Sequence, residues 1–273
     1  MDEPPGCVAT RPRFLCCQDR QPKGRQEMAR YGVLVLLIVV ISATAIVAGA
    51  CGTQRGGTHQ QVGKMQSESK SVALQNAQSA RAQLKMGAGE LYLTGGADQL
   101  MEGEFSYNVS DWKPKVSYDL SGDTGELMVK QGSSEGARLS GDARNEWDIS
   151  LNDEVPTDLV VQMGAGESDL DLDSLALTGV DLQMGAGKTT VDLTGDYAQS
   201  FDASIQGGVG EATVLLPSDV GVKAKAEGGL GKINAEGLKR VGNSYVNDAY
   251  GESDVNLSVE VQGGIGQINL KVV

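Results

Sequence analysis

The stretch Met163–Glu167 reads MGAGE, and the same five residues stand at Met86–Glu90. MGAGK follows at Met184–Lys188, then GGVGE at Gly207–Glu211, GGLGK at Gly228–Lys232 and GGIGQ at Gly263–Gln267. Aligned on the second glycine of each G-x-G, the copies fall at Gly89, Gly166, Gly187, Gly210, Gly231 and Gly266. The last four spacings are 21, 23, 21 and 35 residues. A recurring period near 21 is the mark of a solenoid.

Side-chain parity around each copy supplies the geometry. Ahead of the motif, apolar or small residues alternate: Leu84, Met86, Ala88; Val161, Met163, Ala165; Leu182, Met184, Ala186; Ile205, Gly207, Val209; Ala226, Gly228, Leu230; Val261, Gly263, Ile265. Beyond it the set shifts by one position, to Leu91 and Leu93, Leu170 and Leu172, Val191 and Leu193, Val214 and Leu216, Ile233 and Ala235, Ile268 and Leu270. Period two means strand, and one extra residue per copy is what a bulge or corner inserts. Without it, a continuing strand would turn its apolar face to water. Glycine suits such a corner because it tolerates positive φ. The glycine pairs Gly87 and Gly89, Gly164 and Gly166, Gly185 and Gly187, Gly208 and Gly210, Gly229 and Gly231, and Gly264 and Gly266 are thus read as scaffolding.

The fold class this predicts is all-β: a single-domain β-solenoid, parallel-β-helix-like, with G-x-G corners, over residues 70–273. Its coils should contact mainly their neighbours. TGELMVK (Thr124–Lys130) and EWDISL (Glu146–Leu151) read as strands at intermediate steps of the long gap between Gly89 and Gly166. FSYNVSDWKPKVSY (Phe105–Tyr118) reads as an aromatic-containing insertion, with Pro114 marking a turn or edge. GNSYVNDAYGES (Gly242–Ser253) reads as a turn-rich loop.

Only 4% of the 273 residues are aromatic while 37 are glycine, which suits thin aliphatic layers better than an enzyme core. The net charge is −13, and it is unevenly spread. Residues 1–30 hold six basic and four acidic side chains and residues 31–50 none, leaving −15 on the remainder. Such a surface repels phosphate backbones, so nucleic acid is not an expected partner.

The N-terminal part has its own signals. Tyr31–Ala50 is twenty residues without a charge, long enough to cross a bilayer. Arg20, Lys23, Arg25 and Arg30 precede it, which orients the N-terminus inward and residues beyond 50 outward. The run ends AGAC at Cys51. Small residues before a cysteine resemble the lipobox of bacterial lipoproteins, with Ala48 where leucine is commonest. Residues 28–50 are therefore read as a lipoprotein signal peptide or a membrane helix, with Cys51 as the lipidated residue. Met28-Ala29-Arg30-Tyr31 would open a leader of ordinary length, so residues 1–27 are read as a non-native start or a disordered tail. Residues 51–69, polar and rich in Gly, Gln and Ser, read as a flexible tether of roughly 20–25 Å span. It holds the only histidine, His59. All four cysteines (Cys7, Cys16, Cys17, Cys51) precede residue 52, so the main domain forms no disulfide of its own, and no second CxxC or nearby His completes a zinc site.

MGAGELYLTGGA (86–97), WKPKVSY (112–118), RNEWDISLNDEVPTDL (144–159), MGAGESDLDL (163–172), LPSDVGVKAKAEGGLG (216–231) and YVNDAYGES (245–253) together resemble the bacterial toast-rack family. Related domains occur in LiaF-like cell-wall-active antibiotic response proteins. The resemblance implies an extracytoplasmic β-solenoid of the cell envelope and brings no catalytic residues. LiaF-like proteins usually carry several membrane helices, whereas this chain has a single such segment.

Few chemical motifs compete with that reading. GAGKTT (Gly185–Thr190) imitates a phosphate-binding loop, but Leu182 stands where the first glycine belongs and a strand-like TTVDLTG follows. The calcium β-roll places aspartate where this chain has Ala212, Ile233 and Ile268. Glu167, Asp169, Asp171 and Asp173 share one strand face, a solvated face first and a weak Ca²⁺ candidate second. Asp153 and Glu154 are an adjacent acidic pair of the kind glycosidases use, uninformative in so acidic a chain. Tyr245, Asn247, Asp248 and Tyr250 form either a contact loop or a self-packed cap.

The sequence therefore points to a non-enzymatic, cofactor-free surface lipoprotein for binding, scaffolding or envelope-stress response, on the extracytoplasmic face of the cell membrane. The alternatives are a single-pass membrane regulator of envelope-stress signalling and, less favoured, a β-helix enzyme acting on glycans. The partners expected are the membrane, through lipid or helix, and an envelope protein or wall component, with a homo-oligomer as a further option. Palmitate labelling of growing bacteria checks the anchor: the wild-type chain should take up label and Cys51→Ala should not. An unlabelled wild-type chain that retains residues 31–50 would leave a membrane helix instead.

Overall fold

A computed structural model describes residues 59–133, 138–140 and 142–273, which all fall in the compact unit Gly56–Val273. The expected leader (residues 28–50), Cys51 and residues 52–58 of the expected tether lie outside the described residues. The strands are β1 (His59–Gln61), β2 (Gln66–Val72), β3 (Ser79–Thr94), β4 (Met101–Tyr107), β5 (Lys115–Ser121), β6 (Thr124–Lys130), β7 (Arg138–Ser140) and β8 (Asn145–Leu151). They continue with β9 (Thr157–Asp171), β10 (Leu177–Asp192), β11 (Phe201–Leu216), β12 (Gly221–Glu236), β13 (Lys239–Val241), β14 (Ser244–Val246) and β15 (Asn256–Val272). One 3₁₀ turn, Ser110–Trp112, is the only helical element among the described residues.

Each G-x-G lies inside one long strand, and chain length shows that the strand folds back there. Leu177, which opens β10, pairs in parallel with Thr157, which opens β9. The chain from Asp171 to Leu177 reaches at most about 22 Å, whereas a straight strand of β9's length would carry Asp171 some 46 Å from Thr157. The two arms of each long strand therefore lie against one another, with the corner at the motif. Gly89, Gly166, Gly187, Gly210, Gly231 and Gly266 hold the corner at φ between +133° and +153°.

The core is the space between the arms, filled by columns of in-register side chains. Leu84, Val161, Leu182, Ile205 and Val261 form one column on the first arms. Leu93, Leu170, Val191, Val214 and Leu270 form another on the second arms, each at most 1% exposed. Near the corner, Met86, Met163 and Met184 stand in one column, and their successors are Gly207, Gly263 and Gly228. Opposite, Leu91, Ser168 and Thr189 give way to Ala212, Ile268 and Ile233. Large and small exchange sides, so most coils keep their fill. The coil carrying Gly207 and Ala212 is small on both sides, and a partly open cavity of ≈ 70 Å³ borders these two residues. Buried hydroxyls in this layer are satisfied: Ser168 and Thr189 share a 3.0 Å hydrogen bond, and Thr189 Oγ1 lies 3.0 Å from Met184 Sδ.

The first coil has a split neighbour. β6 continues the sheet beside the first arm of β3, and β8 beside its second arm. β5 then pairs with β6, while β4 and β2 extend the branch from β8. Phe105 and Trp147, both fully buried, meet edge to face at 5.5 Å in this branch.

Two expectations need correction, and the stacking order adds a feature that the sequence does not show. The ordered sheet begins before residue 70, because β2 (Gln66–Val72) pairs antiparallel with β4. QSESKSV is polar on both faces and exposed or half-buried throughout, so it has no apolar period. The segment Phe105–Tyr118 holds the end of β4 and the start of β5 and is not a plain insertion. Finally, the coils do not stack in chain order. The order is β3, β9, β10, β11, β15, β12, with the C-terminal strand inserted between its two predecessors. Every coil carries the same corner, so any two can pair in register, and spacing along the chain does not reveal which neighbours meet.

Corner glycines should tolerate substitution far less than turn glycines. Gly187→Ala combines φ +140° with a Cβ driven onto the carbonyl oxygen of Gly166 and is expected to cost at least ~3 kcal/mol in urea unfolding. Gly96→Ala has φ +86° but nothing within 4 Å of the new Cβ, and should cost ~1–2 kcal/mol.

Candidate functional site

The columns that build the core also build the outer surface of the first arms. Two residues ahead of each first corner glycine, Lys85, Gln162, Gln183, Gln206, Gln262 and Glu227 stand in register across successive strands. Four neighbouring coils thus present a rail of side-chain amides at ~4.8 Å intervals. Gln162 and Gln206 make no side-chain hydrogen bond among the described residues, while Gln262 donates to Glu260 Oε1 at 3.0 Å. That bond and Lys225 hold the Glu260 carboxyl below its usual range.

Beside the rail runs the column of first corner glycines. A Cβ on Gly164, Gly185 or Gly208 would overlap the carbonyl of the preceding coil's glycine, so this strip is bare backbone for steric reasons. Rail and strip form the floor of an open groove of ≈ 900 Å³ over Gly87, Gly164, Gly185 and Gly208. Its end wall is Trp112, Gln131, Gly132 and Ser133, and the register partners Lys85 and Lys130 extend the rail at that end. Gln131 is fixed there, its Oε1 accepting from the backbone N–H of Gly87 at 2.7 Å and of Ala88 at 3.2 Å. The volume falls in the range of small-molecule clefts. The corner cavity of ≈ 70 Å³ does not.

The lining has donors and acceptors, two lysines and an indole, and no carboxylate, imidazole or thiol. It can hold a hydroxyl-bearing ligand by amide and backbone hydrogen bonds, but it supplies no acid–base pair of the kind that glycoside cleavage uses. Asp153 and Glu154 lie in the turn between β8 and β9, outside the groove. Gly185–Thr190 lies wholly within β10, which leaves no helix N-terminus to receive a phosphate.

Glu167, Asp169, Asp171 and Asp173 are all exposed on one face. No group of three His, Cys, Asp or Glu among the described residues is placed to hold a metal, these four included. The face does carry like-charge strain. Partial burial, then Asp173 and Asp192, raise the Asp171 carboxyl above the ordinary aspartate value.

The loop residues divide between two roles. Asn247 is buried, and its Oδ1 accepts from Val222 N–H at 2.9 Å while its Nδ2 donates to Pro217 O and Val220 O at 3.0 and 2.7 Å. It is a plug for the entry to β12 and not a contact residue, which corrects its place in the candidate loop. Tyr245 packs against the core. Asp248 pairs with Lys239, and Tyr250 is 40% exposed.

The glutamine rail was not picked out from the sequence. Its signal is a glutamine just before four of the six motifs, as QMGAG twice, QGGVG and QGGIG. A single surface polar residue per coil has no periodicity of its own until register aligns it. Trp112 comes from another part of the chain altogether.

A stack of folded-back strands with a glycine corner in every coil defines an all-β repeat domain. The chain matches the N-terminal domain of toast_rack, DUF2154, over residues 61–215, and belongs to that family. It is similar to a "putative cell adhesion protein" from Clostridium sporogenes ATCC 15579, at 38% identity and a TM-score of 0.75, over 77% of this chain and 100% of that one. A "putative adhesin" from Bacteroides fragilis NCTC 9343 aligns at 10% identity and TM-score 0.28, over 78% and 99% of the two chains. A "putative lipid binding protein" from Parabacteroides distasonis ATCC 8503 aligns at 10% identity and TM-score 0.25, over 77% and 97%. At those scores neither bears on fold or function. No curated protein matches the chain.

The acidic face gives a signed pH dependence. A carboxyl whose folded pKa is raised destabilises the fold as pH climbs from the ordinary aspartate value through the raised one. Asp171→Asn should therefore be more stable than wild type at pH 7, by ~0.2–1 kcal/mol, the scale of a like-charged cross-strand pair. Urea midpoints should converge at pH 3, where the wild-type carboxyl is protonated. A variant less stable at pH 7 would contradict the assignment.

Proposed function

We propose that this protein is a non-enzymatic binding protein of the bacterial cell surface, held at the outer face of the membrane through Cys51, and that its groove receives an extended glycan strand of the envelope. The observation that carries the reading is the groove itself: an uncharged floor of glycine backbone flanked by in-register amides, without a catalytic acid pair. A sugar polymer presents hydroxyls that both donate and accept, which is the complement of a carboxamide row. The repeat of the rail, ~4.8 Å, is close to the advance of one β-linked hexose ring along an extended chain. The net −15 beyond residue 50 disfavours polyanionic ligands over the domain as a whole, while Lys85 and Lys130 give one end of the groove a local positive charge. The similarity to a protein described as a putative cell adhesion protein is in keeping with a surface role.

Co-sedimentation of the purified chain with insoluble wall glycan tests this. The wild type should pellet with the glycan without releasing reducing ends. The triple variant Gln162→Ala, Gln183→Ala, Gln206→Ala should bind at least ~10-fold more weakly, the sum of several lost hydrogen bonds, with an unchanged melting temperature. Equal retention of the variant would remove the groove from the binding site, and glycan cleavage would replace binding with catalysis.

A further inference from the structure

The two ends of the corner column are finished differently. At the first coil, side-chain amides stand in for a missing neighbour: Gln131 accepts from Gly87 and Ala88, and Asn145 Nδ2 donates to Ala88 O at 3.0 Å. At the other end lies β12. The β13–β14 hairpin covers it only at Lys223 and Ala224. From Lys225 to Glu236, β15 is its only ladder partner among the described residues. Aliphatic side chains come to the surface here. Leu230 is 71% exposed, Ile265 and Val209 beside it 54% each, and Ile233 36%, although its register partner Ile268 is 4% exposed. An unpaired edge over an open apolar layer is a template for another strand.

The edge is complementary to itself. Lys232, Asn234 and Glu236 share the outer face of the second arm, and Ile233 and Ala235 the inner. Neither Lys232 nor Glu236 has an ion-pair partner among the described residues. Antiparallel pairing about Asn234 sets Lys232 against Glu236 twice and Ile233 against Ala235 twice. Parallel pairing in register would set lysine on lysine and glutamate on glutamate, which is unfavourable. Nearby charges are already matched, Lys225 with Glu227 and Glu260, and Lys239 with Asp248. The acidic surplus of the domain is thus not concentrated at this edge.

We propose that a second copy of the chain adds its β12 to this edge, antiparallel about a twofold axis through Asn234, making the protein a closed homodimer. The contact is isologous, so each edge is used up and no fibre grows. The dimer covers Leu230 and Ile233 and leaves the glutamine rail free on the first arms.

Sedimentation velocity of the full chain in non-ionic detergent reads the assembly, and charge exchange tests the register. Wild type should sediment as a dimer. Lys232→Glu and Glu236→Lys should each weaken it at least ~10-fold, by turning both ion pairs into repulsions. The double variant restores both pairs and should restore the dimer. If a single variant fails to fold by circular dichroism, Asn234→Arg, which places two like charges on the axis, takes its place and should also dissociate the dimer. A monomeric wild type, dimeric single variants or a dissociated double variant would each overturn the proposal.

Discussion

At every corner of the stack, the backbone of one coil lies so close to the next that no Cβ fits between them. The carbonyl oxygen of Gly89 occupies the place where a Cβ on Gly166 would be, and the same contact recurs from Gly166 to Gly187 and onward to the last coil. A positive φ alone would allow asparagine at some turns, but this close approach does not. The fold-back depends on this contact, because it lets a 16-residue strand reverse within one or two residues while adjacent strands stay in register. From the fold-back follow the two-arm coil, the aliphatic columns between the arms, and the short links that close each turn.

The same constraint shapes the outside. At Gly164, Gly185 and Gly208 glycine is enforced by the preceding coil's carbonyl, and its consequence is a strip of accessible backbone beside a row of glutamines. Function on such a scaffold need not involve any side chain that looks catalytic. The groove takes its character from what is absent at the glycines and from what register repeats at the glutamines. Its end wall is supplied by Trp112 and Gln131, which occupy the place where another coil would have continued the sheet.

Ends are the general problem of a stacked architecture, since each coil relies on neighbours to bury its inner face and pair its backbone. This chain solves the problem at one end by splitting a coil into β6 and β8 and closing the corner with the amides of Gln131 and Asn145. At the other end it inserts β15 between β11 and β12 and plugs the entry to β12 with Asn247. The second arm of β12 keeps its open edge, and exposed Leu230 marks it.

Sequence alone determined the strand class, the corner positions, and which residues face inward on either side of each corner. These are local properties: alternation has period two, and the insertion of one residue shifts it visibly. Even β6 and most of β8 could be placed, because TGELMVK and EWDISL alternate strongly. Tertiary structure decided the stacking order, the polar edge strand β2, the buried role of Asn247 and the existence of the groove. Identical corners make every coil a possible neighbour of every other, so the insertion of β15 leaves no trace in the spacing. A polar edge strand has no buried face to write a period. The acidic row Glu167 to Asp173 shows the converse: a conspicuous local pattern that gathers into no metal-holding group of three. The glutamine rail exists only through register, which is a property of the assembled sheet.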